Sequence, residues 1–157
     1  MKTRIIAIAA FVASLTFATA AEKIKAPHGG RIISAVEPHA EFLVTPDKKI
    51  EIRFLDAEGK IIAPAAQVAT VTMGDRAVPT KLAFTKDGDK LVSDKTVPEG
   101  KDLPVVVQIK VTPDSKTVSE KFNLNFAKCP TCSNAEYACS CEHGGEKKEK
   151  GHEGHDH

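Results

Sequence analysis

Tryptophan is absent from this sequence and tyrosine occurs once, so few side chains could stack against nucleotide bases. The 22 basic residues nearly balance the 21 acidic residues and form no stripe that would follow a phosphate backbone. The chain also lacks a Gly-x-Ser-x-Gly elbow and a His-Glu-x-x-His motif, which are signatures of serine hydrolases and zinc proteases. We therefore expect no nucleic-acid partner and no enzymatic activity.

Long apolar runs are missing too, except for one at the amino terminus. Lys2 and Arg4 precede the run, which covers residues 5–17 and is followed by small residues ending at Ala20. This is the pattern of a secretory signal peptide cleaved between Ala20 and Ala21. A membrane anchor is the alternative, but polar residues dilute the run and no charged stop follows at once. We expect a periplasmic or secreted protein with no membrane insertion after cleavage, in which residues 1–20 are the signal peptide.

Between Ile32 and Phe126 the apolar residues alternate with polar ones, as in Ile50-Glu51-Ile52-Arg53-Phe54. Alternation with a period of two predicts strands that bury one face, and Pro, Gly and Asp residues supply turns between them. Residues 21–127 are therefore predicted to form an all-β domain. An antiparallel, immunoglobulin-like β-sandwich of about seven strands fits this length best. A small barrel is the alternative, because alternation does not show whether a sheet closes on itself.

One charged residue interrupts the apolar face of the last predicted strand. Glu120 alternates with Val118, Phe122 and Leu124. Its position predicts a sheet edge, a bulge or a partner side chain.

No cysteine precedes Cys129, and all four cysteines lie in residues 128–143, which we call the cysteine segment. Their spacing is Cys129-x2-Cys132-x6-Cys139-x-Cys141, two close pairs that can converge on one ion. Thiolates bind zinc and Cu(I) strongly, so this segment predicts a four-sulfur metal site. His143, two residues after the last cysteine, is a further candidate ligand.

Two other uses of these cysteines compete with metal binding. Outside the cytoplasm, four cysteines commonly form disulfides, and Cys129–Cys141 with Cys132–Cys139 would be one pairing. Cys129-Pro-Thr-Cys132 also has the spacing of a thiol–disulfide oxidoreductase. That chemistry uses a helix amino terminus in an α/β fold, whereas this motif follows a predicted strand.

Residues 144–157 form a polar tail with no aliphatic side chain, which cannot bury enough surface to offset its ordering entropy. We expect this tail to be disordered and its His152, His155 and His157 to bind borderline divalent ions weakly. Together with the cysteine segment, it would form a mobile chelating arm.

The remaining histidines lie near the start of the predicted domain. His28 precedes two glycines, which allow a sharp turn, while His39 and Glu41 share one face of a predicted strand. These three residues are either a two- or three-ligand metal site or a surface turn followed by two polar strand residues.

The arrangement of His28-Gly29-Gly30, then His39-Ala40-Glu41-Phe42-Leu43-Val44, then residues 50–60 resembles a known small β domain. That domain occurs alone or fused to periplasmic adaptor subunits of heavy-metal efflux pumps. The resemblance covers about residues 27–126 and implies a periplasmic domain associated with heavy-metal resistance. It brings forward His28, His39 and Glu41 as metal ligands and a metal-efflux component as a candidate partner. The other domains of a full adaptor have no counterpart here, so docking to a pump is not carried over.

The leading hypothesis is therefore a heavy-metal-binding protein that buffers, sequesters or transfers a soft or borderline ion, zinc or Cu(I) before others. The alternative is an extracytoplasmic structural or interaction domain with two disulfides and no metal role.

Overall fold

A computed structural model describes residues 24–141 of the chain, and this part is all-β, as predicted. It contains nine strands and one 3-10 helix. The strands are β1 (Arg31–Ile33), β2 (His39–Val44), β3 (Ile50–Leu55), β4 (Ile61–Ile62), β5 (Val68–Met73), β6 (Thr80–Asp87), β7 (Lys90–Ser93), β8 (Leu103–Lys110) and β9 (Val118–Leu124), and the 3-10 helix is Glu136–Ala138.

All pairings between these strands are antiparallel, and they form one continuous path in the order β1-β2-β3-β7-β6-β5-β8-β9, with β4 on β3. Strand β6 joins the two halves of this path. Its residues 80–83 pair with β5, and its residues 84–87 pair with β7. The prediction of an antiparallel sheet is confirmed, whereas an immunoglobulin-like sandwich stays a prediction because the pairing continues through β6.

The two ends of the path, β1 and β9, come together through side chains. Arg31 Nε donates a hydrogen bond to Glu120 Oε1 at 2.8 Å, and the same guanidinium lies 4.6 Å from the centre of the Phe122 ring. The sheet is thus nearly closed into a barrel. Glu120 lies on the terminal strand of the path, and its partner is Arg31.

The core follows the alternation seen in the sequence, with one informative departure. In β5, Ala69, Val71 and Met73 are buried while the intervening threonines are half-buried. In β2, by contrast, Glu41 on the outer face is as fully buried as Phe42 on the inner face. Residues 28–30, which we call the His-Gly-Gly loop, account for this burial, because they contact the Glu41 carboxylate.

Within residues 24–141 no helix is long and apolar enough to cross a membrane. The predicted signal peptide and the predicted tail of residues 144–157 lie outside the described residues.

Candidate metal centre

The first cysteine pair lies in a tight hairpin that follows β9. Lys128 pairs with Ala135, the Cys129 N–H donates to the Asn134 carbonyl at 2.8 Å, and the Ser133 N–H donates to the Cys129 carbonyl at 3.2 Å. Ser133 takes a positive φ of 65°, which lets the chain reverse directly after Cys132. The Cys-x2-Cys motif is therefore in a hairpin loop and not at the amino terminus of a helix.

The 3-10 helix brings the second pair back to the first. The Cys139 N–H donates to the Glu136 carbonyl at 3.1 Å, which ends the helix with Cys139 facing the hairpin. The Cys141 N–H then donates to Cys139 Sγ at 3.4 Å. Backbone donors to sulfur of this kind stabilise a thiolate.

The four sulfurs lie close enough to share one ion. Cys139 Sγ is 3.3 Å from Cys129 Sγ and 3.6 Å from Cys132 Sγ, and all four sulfurs lie within 4.8 Å of one another. Sulfurs placed about 2.3 Å from a tetrahedral zinc ion are about 3.8 Å apart. All four cysteines are free thiols here, and among residues 24–141 they are the only group of three or more metal-ligating side chains this close together. Four cysteines close together could thus hold a metal ion.

The thiols do not titrate alike. Backbone N–H groups of Cys132 and Thr131 point at the sulfur of Cys129 and lower the pKa of that thiol to about 7. The hydrogen bond between Cys139 and Cys129 raises the pKa of Cys139 to about 12, because its proton is shared with the Cys129 sulfur. A hydrogen bond to Cys132 likewise raises the pKa of Cys141. The site therefore holds one readily formed thiolate at neutral pH and retains other protons until a metal displaces them.

Tyr137, the only tyrosine of the chain, anchors the cysteine segment to the domain. Its ring is buried and makes edge-on contacts with Phe42 and Phe126, with ring centres 6.1 Å and 5.8 Å apart. Its hydroxyl accepts a hydrogen bond from the Val44 N–H at 3.2 Å, and Arg31 Nη1 donates to its carbonyl at 3.2 Å. Through Tyr137, residues 128–141 thus pack against the core of the β domain, and the expected mobility of this part of the arm stays a prediction.

At the other end of the chain, Glu41 organises the His-Gly-Gly loop. One carboxylate oxygen accepts hydrogen bonds from the N–H groups of His28 at 2.8 Å and Gly30 at 3.0 Å, and the other lies 3.0 Å from His28 Nδ1. Gly30 packs so closely that a Cβ there would lie 2.5 Å from the Phe42 carbonyl oxygen. Both oxygens of Glu41 are therefore already occupied by the loop.

His39, at the start of β2, is held separately. Its Nδ1 lies 2.8 Å from the carbonyl oxygen of Val36. The structure brings His28 and Glu41 together but does not gather them with His39 into a close three-ligand group. A metal site at His28, His39 and Glu41 stays a prediction, as do the ligand roles of His143, His152, His155 and His157, which lie outside the described residues.

Sequence reasoning missed Tyr137 and Arg31 as residues of this site. A lone aromatic residue between two cysteine pairs, in an otherwise polar stretch, was the available signal for Tyr137. Arg31 had none, because its contacts join residues 89 and 106 positions apart in the chain.

Comparison of the chain with protein-family models, with curated proteins and with solved structures found no match. The candidate site is a cluster of four thiols that the core of an antiparallel β domain holds in place.

Proposed function

We propose that this protein binds a soft or borderline transition-metal ion, zinc or Cu(I), through Cys129, Cys132, Cys139 and Cys141, and that it has no enzymatic activity. The observation that carries the proposal is that four sulfurs, none of them in a disulfide, lie within 4.8 Å of one another. Their closest separations, 3.3 Å and 3.6 Å, approach the spacing that a tetrahedral zinc ion requires.

The anchoring of the cluster also favours metal binding. A free chain must supply the ordering entropy of its ligands when the ion binds, at roughly 1–2 kcal/mol per residue. Tyr137 and the 3-10 helix have already ordered the second cysteine pair, and the hairpin has ordered the first. The folded domain therefore lowers the entropic cost of closing the site.

The wider role follows from the sequence. A predicted signal peptide and the resemblance to a domain of heavy-metal efflux adaptors support a periplasmic or secreted protein that buffers, sequesters or transfers its ion. An immunoglobulin-like sandwich would serve as the carrier, and a metal-efflux component would be a candidate partner. In this role His143, His152, His155 and His157 would add weaker, exchangeable ligands.

Metal analysis of the full chain, purified without oxygen, tests the proposal. We expect one equivalent of zinc or Cu(I) to protect four reactive thiols from a thiol reagent. The Cys132→Ser, Cys139→Ser double variant should lose this tightly bound equivalent. A matched variant with His152, His155 and His157 all changed to Gln should keep it, since the sulfurs are intact.

The competing function is a structural or interaction domain with two disulfides. The separation of 3.6 Å between the sulfurs of Cys132 and Cys139 is short enough for a disulfide after a small side-chain movement. Finding no reactive thiol and no bound metal in the protein, isolated with native oxidation preserved, would favour this function. Such a result would reject the four-thiolate site.

A further inference from the structure

An open groove of about 1170 Å³ separates the His-Gly-Gly loop from the cysteine segment. Gly29 and His39 are among its lining residues, and so are Cys132 and Cys139. The walls approach each other at Gly29, where a Cβ would lie 3.8 Å from Asn134 Oδ1. Residues from the two ends of the described chain therefore line one groove.

This groove reaches only part of the sulfur cluster. Cys132 and Cys139 are among its lining residues, whereas Cys129 and Cys141 are not. Cys129 is also buried, with 5% of its surface exposed. An ion that approaches through the groove would therefore meet the sulfurs of Cys132 and Cys139 before the other two.

The ring of His39 is oriented so that one nitrogen can bind an ion. A carbonyl oxygen only accepts hydrogen bonds, so the contact with Val36 at 2.8 Å requires the proton of a neutral ring to sit on Nδ1. Nε2 is then left with its lone pair. Histidines that bind metals are typically oriented in this way, with the other ring nitrogen donating to a carbonyl or carboxylate.

The groove carries charges of both signs, and its one lining carboxylate lies close to His39 in the sequence. Glu37 lines the same groove two residues earlier and adds an exposed carboxylate. Two basic residues, Lys25 and Arg31, also line it, and Arg31 is paired with Glu120. Oxygen and nitrogen ligands thus share the groove with the sulfurs of Cys132 and Cys139, which bind zinc-like ions more tightly once the metal has displaced their protons.

We propose that this groove is the access route to the four-thiolate centre, and that Nε2 of His39 is the first ligand met by an incoming divalent ion. The inference rests on the proposed function, since it assigns a path to that same site. His39 would speed the arrival of the ion without taking part in its final coordination.

Stopped-flow uptake of Co²⁺ by the reduced full chain tests this route. The charge-transfer absorption between thiolate and Co²⁺ appears only when the ion reaches sulfur, so binding to histidines elsewhere is not detected. In His39→Asn, the amide can still donate to Val36 but the Nε2 ligand is gone. We expect its uptake of Co²⁺ to be about tenfold slower, because the ion is no longer captured close to the sulfurs. The final absorption and the equilibrium affinity should be unchanged.

His28→Asn is the matched control. Its amide can still donate to Glu41, and His28 does not line the groove. It should take up Co²⁺ at the wild-type rate. As a second variant, Ser140→Trp places a large side chain at an exposed position of the groove and should also slow uptake.

A wild-type rate in His39→Asn would overturn the role of His39, and a wild-type rate in Ser140→Trp would overturn the route. Equal slowing in His28→Asn would also overturn the role of His39. If His39→Asn fails to fold, Ser140→Trp still tests the route and His39→Gln tests the ligand. A wild-type chain without any thiolate absorption would overturn the proposed function itself, which distinguishes that failure from failure of the route.

Discussion

Replacing Tyr137 with alanine tests whether the cysteine segment is part of the folded domain. Tyr137 is 5% exposed and packs against Phe42 and Phe126. Truncation of a buried aromatic side chain costs about 3–5 kcal/mol, and the Val44 N–H loses its acceptor, for about 1 kcal/mol more. We therefore expect the Tyr137→Ala substitution to lower the free energy of unfolding of the metal-free protein by about 4–6 kcal/mol.

Urea denaturation followed by circular dichroism measures this loss. Tyr137→Phe keeps the ring and removes only the hydrogen bond to Val44, so it should cost about 1 kcal/mol. Phe126→Ala removes a ring that contacts Tyr137 but is 50% exposed, and should cost about half as much as Tyr137→Ala. A Tyr137→Ala protein within about 1 kcal/mol of the wild type would refute the claim that this segment is docked on the core.

The same substitution should weaken the metal site without removing a ligand. Cys139 lies two residues after Tyr137 and would have to be ordered when the ion binds. We expect zinc affinity, measured by competition with a chelator, to fall at least about tenfold. An unchanged affinity would mean that the hairpin and the sulfurs alone organise the site.

Three further predictions concern the loops and the thiols. Glu41→Ala leaves two backbone N–H groups of the His-Gly-Gly loop without their acceptor, so it should lower the free energy of unfolding in urea by about 3 kcal/mol. His28→Ala should lower it by about 1 kcal/mol. Equal losses in the two variants would contradict the role of Glu41 in holding the loop. Ser133→Gly relieves a positive φ of 65° and should raise the free energy of unfolding by up to about 1 kcal/mol, whereas a loss would argue against this conformation. In the metal-free protein, stability should rise from pH 7 to pH 9, because folded Cys129, with a pKa of about 7, has lost a proton that the unfolded thiol, at 9.0, still holds. Stability should fall above pH 9, because folded Cys139 keeps its proton up to about pH 12 while the unfolded thiol loses its own. The Cys129→Ser variant should not show the rise in stability between pH 7 and pH 9. A flat stability profile in the wild type would contradict the proton shared between Cys129 and Cys139.

Local patterns predicted most of the strands, because a strand that buries one face has apolar residues at every second position of its sequence. The alternating residues of β5 and β8 are buried as that period requires. Strands β4 and β7, with two and four residues, are too short to show a period. Val78 stands two residues before Thr80, in step with the alternation of β6, yet it lies outside the strand and is 80% exposed.

The sequence alone determined that the fold is β and that the four cysteines could meet, since close spacing along a chain limits how far ligands can separate. It could not determine what orders them. Tyr137 reaches Val44 across 93 positions, and Arg31 joins Glu120 across 89. Such contacts depend on how the strands pair and on which faces pack together, which no local pattern encodes. Tertiary structure therefore decided that Tyr137 packs the cysteine segment against the core and that His39 lines one groove with Cys132 and Cys139.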